Sequence, residues 1–408
     1  MLNSSATRKT TNQMKYIDRL LQGAPVEWLP LGEVAEIKKG KQLNKRELLQ
    51  DGLYPAYNGG VTYSGFTNTY NYPANTIIVS QGGASAGFVN FVTSKFYANA
   101  HCYVVLPDIE RANNRYLYHV LKWSQNTLMQ KQQGAGIPGL SSEKLLQTPI
   151  PIPPVAVQEE VVRVLDKFTA LEAELEAELD CRKRQYEYYR DALLTFDLSP
   201  SDGLCHSPLC SVPFAVEWRS LGEVGEICMC KRILKEQTSE SGEIPFYKIG
   251  TFGGVANSYI SRELFTEYRS KYRYPKVGDI LISASGTIGR TVVFDGTDAY
   301  FQDSNIVWID NDERLVTNRF LYYYYQVIQW SVAKGGTIQR LYNDAIKKAK
   351  IPIPPLSVQE RIVEILDKFD TLVNSISEGL PREIELRRKQ YEYYRDALLS
   401  FEPLTSNL

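Results

Sequence analysis

The sequence predicts an α/β (α+β) protein built twice, with two globular domains alternating with two long helices in an internal pseudo-two-fold repeat. Three recurrences carry this reading. Ile150-Pro-Ile-Pro-Pro154 returns as Ile351-Pro-Ile-Pro-Pro355, VQEEVVRVLDKF (157–168) returns as VQERIVEILDKF (358–369), and QYEYYRDALLTF (185–196) returns as QYEYYRDALLSF (390–401). A chain of 408 residues is also too long for one ordinary core.

The helices come from periodicity. Val157, Val161, Val164, Phe168, Leu171 and Leu175 recur at alternating steps of four and three, the pattern of a coiled-coil seam. Pro153-Pro154 marks the helix entry, where proline is tolerated. The second copy repeats the seam from Val358 to Ile376 and then meets Gly379-Leu-Pro381. Pro355 to Gln390 spans 35 steps against 31 for Pro154 to Gln185, so the second copy carries a four-residue insertion. That stutter, with Pro381, predicts a kink or a local unwinding. At 1.5 Å per residue each helix is on the order of 60 Å long.

The globular parts share only a frame. Val26-Glu27-Trp28 and Leu31-Gly32-Glu33-Val34 match Val216-Glu217-Trp218 and Leu221-Gly222-Glu223-Val224, and Tyr57 matches Tyr247. Short β-branched runs at 76–79 and 279–282 end in the Gly/Ser turns GGASAG and SASGTIG, with helices expected at about 113–130 and 317–333. Tyr57 and Tyr247, recurring together, are expected to serve the core.

Net charge is −1, but it is patterned. Residues 26–149 carry 11 basic and 8 acidic side chains, and 216–350 carry 18 and 16, whereas 150–200 (6 and 11) and 351–408 (7 and 10) are acidic. No apolar run reaches the roughly 18 residues of a membrane span, and the first residues lack a secretory apolar stretch. Four of the six cysteines crowd between Cys205 and Cys230, which is no disulfide framework, so a reducing cytoplasm is expected.

Catalytic constellations are missing from the sequence. His101, His119 and His206 show no metal-ligand spacing, and no phosphate-binding G-x-x-x-x-G-K-[ST] loop occurs. The Pro-Pro pairs sit in helix entries, not in an Asp/Asn-Pro-Pro-Tyr motif. Cys205, Cys210, Cys228 and Cys230 fit no common zinc ribbon and are read as ordinary thiols, with no metal expected.

Helices beginning Pro-Ile-Pro-Pro-x-x-x-Gln-Glu and ending Gln-Tyr-Glu-Tyr-Tyr-Arg-Asp-x-Leu-Leu-x-Phe, set between divergent domains, closely resemble the DNA-specificity subunit of type I restriction-modification systems, across residues 14–401. The resemblance implies two target-recognition domains, each reading one half of a split double-stranded DNA sequence. It implies two repeat helices packed antiparallel as a spacer that docks two methyltransferase (modification) subunits. Those partners would carry S-adenosylmethionine and methylate adenine N6, and two restriction/translocase subunits using ATP and Mg would complete a nuclease. This chain would have no cofactor and no catalytic residue. The expected domains are an extension with a short helix (1–25), the first target-recognition domain (26–149), the central repeat helix (150–200), a linker (201–215), the second target-recognition domain (216–350), the distal repeat helix (351–401) and a tail (402–408).

Basic and amide residues on glycine-rich loops are the natural DNA contacts, because glycine permits close approach and the backbone supplies donors. In the first domain these are Lys38, Lys39, Lys41, Asn58, Gln81, Ser85 and Gln133. In the second they are Lys231, Arg232, Lys248, Ser285, Arg290, Gln339 and Arg340. Tyr186, Tyr189 and Arg190, with Tyr391, Tyr394 and Arg395, are expected to dock the partner or pack between helices. The rival readings are a repeat scaffold for a non-DNA ligand and a self-contained restriction or methylation enzyme. With its weak net charge, the chain alone is expected to bind DNA poorly, tight specific binding requiring the modification subunits. A gel-shift titration of the isolated chain checks this, and nanomolar specific binding would contradict it.

Overall fold

The computed structural model describes residues 17–132, 138–199, 203–205, 213–332 and 339–401. The chain forms two compact units, the first from residues 1–176 and 383–408, the second from 177–382. Each holds one globular domain, the start of one long helix and the end of another.

In the first unit, strands β1 (Glu27–Pro30) and β9 (Pro149–Ile152) pair antiparallel, Trp28 facing Pro151. The two motifs VEW and PIPP, far apart in sequence, are therefore one ladder that closes the domain's ends. Between them lies an antiparallel sheet in the order β2 (Ala35–Lys39), β8 (Cys102–Pro107), β5 (Thr76–Ser80), β6 (Val89–Val92). A smaller sheet has the order β4 (Gly65–Thr67), β3 (Tyr54–Tyr57), β7 (Tyr97–Ala98). Strand β5, TIIVS, is buried along its whole length, as an interior β-branched strand should be. A helix at Asn114–Trp123, capped by the Asn113 side chain, covers the larger sheet.

The second unit repeats the plan. Strands β10 (Glu217–Ser220) and β18 (Lys350–Ile353) close its ends, Trp218 facing Pro352. Its larger sheet runs β11 (Gly225–Cys228), β17 (Ile306–Asn311), β14 (Ile280–Ser283), β15 (Thr291–Val293), and its smaller one β13 (Tyr259–Ile260), β12 (Ile244–Tyr247), β16 (Tyr300–Phe301). The helix expected over 317–333 spans only Asn318–Tyr324. Beyond it Tyr325 turns into the core, and the β-branched residues of the following VIQWSV are poor helix formers.

The central helix, Val155–Leu194, has 40 residues and is about 60 Å long. The distal helix is broken into Leu356–Asn374 and Gly379–Leu399, at the insertion expected from the sequence. Gly379 adopts φ +74°, and a Cβ there would lie 2.4 Å from Thr371 O, so glycine is required at the restart.

Within each unit the helices pair antiparallel. In the first, Phe168 stacks on Tyr394 at 5.1 Å, and Arg388 pairs with Glu172 at 2.5 Å and with Glu176. In the second, Phe369 lies 6.4 Å from Tyr186 and stacks on Tyr189 at 5.5 Å. The seam does not start at the first turn, however. Val157, Val161 and Leu165 are buried in the first globular core, and Val358, Ile362 and Leu366 in the second.

The repeated glutamine explains that docking. Gln158 is fully buried; its Oε1 accepts from Asn113 N at 2.8 Å, and its Nε2 donates to Arg111 O at 3.0 Å and Pro153 O at 2.9 Å. Gln359 does the same with Thr317 N, Leu315 O and Pro354 O, at 2.9, 3.0 and 2.8 Å. Two turns on, Asp166 receives Arg115 and His119, both at 2.8 Å, while Asp367 receives Arg319 at 2.7 Å and the Tyr323 hydroxyl at 2.5 Å.

Replacing Gln158 or Gln359 by Ala leaves one buried and two part-buried backbone groups unpaired, and each variant is expected to lose about 3 kcal/mol in denaturant unfolding. The exposed neighbour Glu159→Ala should lose almost nothing. Burial holds the His119 imidazole below its ordinary pKa of 6.5, against the opposing pull of Asp166. Below pH 6.5 the unfolded chain takes up a proton that the folded chain resists, so this contribution is present above that pH and lost as pH falls. His119→Gln is expected to flatten the acid side of the first unit's stability profile.

Candidate nucleic-acid interface

In the first unit the ends of β2, β3 and β5 meet the turn that leads into β8. Gly40 N donates to Cys102 O at 3.0 Å, Lys41 N to Ala98 O at 3.0 Å and Gln81 N to His101 O at 2.8 Å. Gly59 N reaches Cys102 Sγ at 3.2 Å, and Ser80 Oγ donates to Gly60 O at 3.2 Å. The chain crosses so closely that a Cβ on Gly40 would lie 2.2 Å from Asn99 O. Buried Asn99 ties in the loop after β2, accepting from Leu43 N at 3.0 Å and donating to Leu43 O at 2.9 Å.

This end of the sheet gathers Lys39, Lys41, Asn58 and Gln81 beside exposed His101. Gln81 supports the cluster from within. With its nitrogen donating to Ala100 O at 3.1 Å, its oxygen accepts from the Tyr103 hydroxyl at 3.3 Å and from Lys39 Nζ at 3.2 Å. Lys38 does not join them. Strand alternation turns it to the other face, where it pairs with Glu36 at 3.0 Å. Ser85 lies in the tight turn after β5, its carbonyl accepting from Phe88 N at 2.9 Å, and Gln133 lies outside the described residues.

The second unit has the same backbone frame. Ala284 N donates to Asn305 O at 2.7 Å where Gln81 meets His101, and Leu341 N donates to Ala284 O at 2.8 Å where Leu140 meets Gln81. Isolated bridges join Ser285 to Arg340 and, in the first unit, Gly82 to Gly139. Gln302 N donates to Tyr247 O as Asn99 N does to Tyr57 O, both at 2.9 Å. Tyr57 and Tyr247 are half-buried and pack on Phe96 and Phe301, at 5.8 and 5.9 Å, as their expected core role requires.

Ser285 and Arg340 meet at this end, with Gln339 exposed beside Arg340, while Lys248 follows β12 with its Nζ 5.9 Å over the Phe246 ring. The Arg290 guanidinium donates to Phe252 O at 2.8 Å and so braces a neighbouring loop. Lys231 Nζ sits 5.1 Å over the Tyr272 ring, with Arg232 exposed next to it. His101 and Asn305 belong to the site but lacked a sequence signal, because neither lies on a glycine-rich loop.

Burial pushes the Cys102 thiol up to about 11 and the Cys230 thiol up to about 12, so both stay protonated. Cys228 and Cys230 belong to one core cluster and Cys205 to another, while Cys210 lies outside the described residues. Among the described residues no group of His, Cys, Asp and Glu is arranged to hold a metal ion, and no helix is long and apolar enough to cross a membrane.

On the helices, Tyr186 is buried, its hydroxyl 3.4 Å from Gln326 Oε1, and Tyr391 packs against the first core. Tyr189 and Tyr394 stack on Phe369 and Phe168. Arg190 and Arg395 pair with Asp191 and Asp396, each at 2.8 Å, and each lies 5.8 Å over the ring of Tyr186 or Tyr391. These six residues mostly serve helix packing. Tyr188, 69% exposed, and Tyr393, 41% exposed, are a matched aromatic pair with both rings in solvent, while Tyr189 is 40% exposed despite its stacking.

One backbone frame presenting different side chains in two copies defines a paired recognition scaffold. A family profile for the type I restriction modification DNA specificity domain matches residues 25–180 and 214–386. A putative type I restriction enzyme specificity subunit of Haemophilus influenzae is 49% identical over 403 residues, covering 96% of this chain and 99% of its own. The EcoR124I/EcoR124II specificity subunit of Escherichia coli is 34% identical over 415 residues, covering 96% and 98%. The crystal structure of a type I S subunit from M. genitalium shares the fold, with a TM-score of 0.62 at 18% identity, covering 93% of this chain and 98% of that one. The chain belongs to the DNA-specificity subunits of type I restriction-modification systems, which are not themselves catalytic.

Proposed function

We propose that each globular unit reads one half of a bipartite double-stranded DNA target with the loops at this end of its larger sheet. The observation that carries the reading is substitution on a constant frame. At matched backbone positions the first unit has Gln81, Gly82, His101 and Gly139 where the second has Ala284, Ser285, Asn305 and Arg340. Base edges are told apart by side-chain donors and acceptors, so equal frames with unequal side chains suit two different half-sites.

The helices fix the separation of the half-sites and dock two modification subunits. Equivalent partners would need equivalent surfaces, and the solvent-facing Tyr188 and Tyr393 recur in matched settings. The partners supply S-adenosylmethionine and methylate adenine N6 in the cytoplasm, and restriction subunits using ATP and Mg add cleavage. Two relatives named as type I specificity subunits, aligned over nearly their whole length, support this division.

Co-expression with the modification subunit, followed by sequencing for methylated adenine, tests the reading. A bipartite motif is expected, and a continuous motif or none counts against it. In the same cells, Tyr188→Ala with Tyr393→Ala should reduce co-purification of the modification subunit at unchanged melting temperature. Undiminished co-purification would remove these tyrosines from the docking face.

A further inference from the structure

At the sheet end of the second unit three side chains are linked through one oxygen. Ser285, 5% exposed, donates its hydroxyl to Asn305 Oδ1 at 2.8 Å, and Arg340 Nη2 donates to the same oxygen at 3.4 Å. The backbone holds all three in place. The Ser285–Arg340 bridge, Leu341 N to Ala284 O at 2.8 Å and Ala284 N to Asn305 O at 2.7 Å fix their segments.

The free polar ends of Asn305 and Arg340 are both donors. The carboxamide oxygen of Asn305 is occupied by Ser285 and Arg340, so its NH2 is the end of the amide left for a ligand; among the described residues no hydrogen bond uses it. The Arg340 guanidinium is exposed, and its remaining N–H groups are donors as well. In the first unit Gly82, His101 and Gly139 stand at the matched positions, without a guanidinium or an amide.

We infer that Arg340, held by Asn305 and Ser285, is a specificity-determining residue that selects a guanine in the half-site read by the second unit. In the major groove guanine presents two acceptors, O6 and N7, side by side. Adenine opposes a donor-only surface with its N6 amino group, cytosine offers only a donor, and thymine offers one acceptor beside a methyl. A donor-only pair therefore favours guanine. A phosphate would also accept these donors, but it carries no sequence information and its loss would weaken all targets alike.

The inference rests on the bipartite reading proposed above, and its test separates the two. With the complete complex of this chain and its modification subunits, each guanine of the methylated motif is replaced in turn by 7-deazaguanine, which lacks N7. One position, in one half only, is expected to lose binding by roughly tenfold. In Arg340→Ala the same replacement should have no further effect, and the methylated motif should become degenerate at that position. Asn305→Asp, which keeps the acceptor for Ser285 and Arg340 but removes the outward donor, should relax the same position. The scan on the unaltered protein needs no variant, so misfolding of a variant does not obscure the answer. A bipartite motif without guanine, a scan with no sensitive position, or a variant as sensitive as the parent overturns the guanine assignment and leaves the bipartite reading standing. Absence of any bipartite motif overturns that reading itself.

Discussion

Each globular core is completed by a helix end from the other sequence repeat, and the rest of the structure depends on that closure. Leu398, Leu399 and Phe401 are buried with Leu31, Val34 and Tyr116 in the first unit. Leu194 and Phe196 are buried with Leu221, Val224 and Phe320 in the second. Apolar side chains that leave water here contribute stability only when both repeats are present. The near-identity of QYEYYRDALLTF and QYEYYRDALLSF follows, because the two helix ends enter equivalent sites.

The opposite ends of the helices are set by polar groups. Gln158 and Gln359 satisfy backbone atoms of the preceding turns, and Asp166 and Asp367 receive cations and donors from the covering helices. A buried amide with three partners fixes direction in a way an apolar contact does not, since misplacement leaves donors and acceptors unpaired. The two units solve one local problem differently. His119 donates to Asp166 where Tyr323 donates to Asp367, so at this position only the first unit carries an imidazole, held by burial below its ordinary pKa.

Held in this way, each domain presents its sheet-end loops from a rigid base. Backbone-to-backbone bonds position the loops, and the side chains on them are free to differ: Gly139 in one unit is Arg340 in the other without change to the bridge beneath. On the reading proposed above, this separation of frame from side chains lets one architecture serve two DNA sequences.

Much of this was legible in the sequence by itself. Repetition exposed the two-fold plan, apolar periodicity exposed the helices, and the four-residue insertion with Gly379 and Pro381 located the break in the distal helix. Local chemistry sufficed there, because steric and hydrogen-bond rules act over a few residues. Tertiary structure alone decided that VEW and PIPP form one ladder and that Val157 and Val161 enter a globular core as well as lying on a seam. It also separated adjacent Lys38 and Lys39, set Gln81 to brace Lys39, and brought Asn305 beside Arg340. Those outcomes depend on which strand lies next to which, and residues that meet across 35 or more positions of chain leave no local periodicity to read.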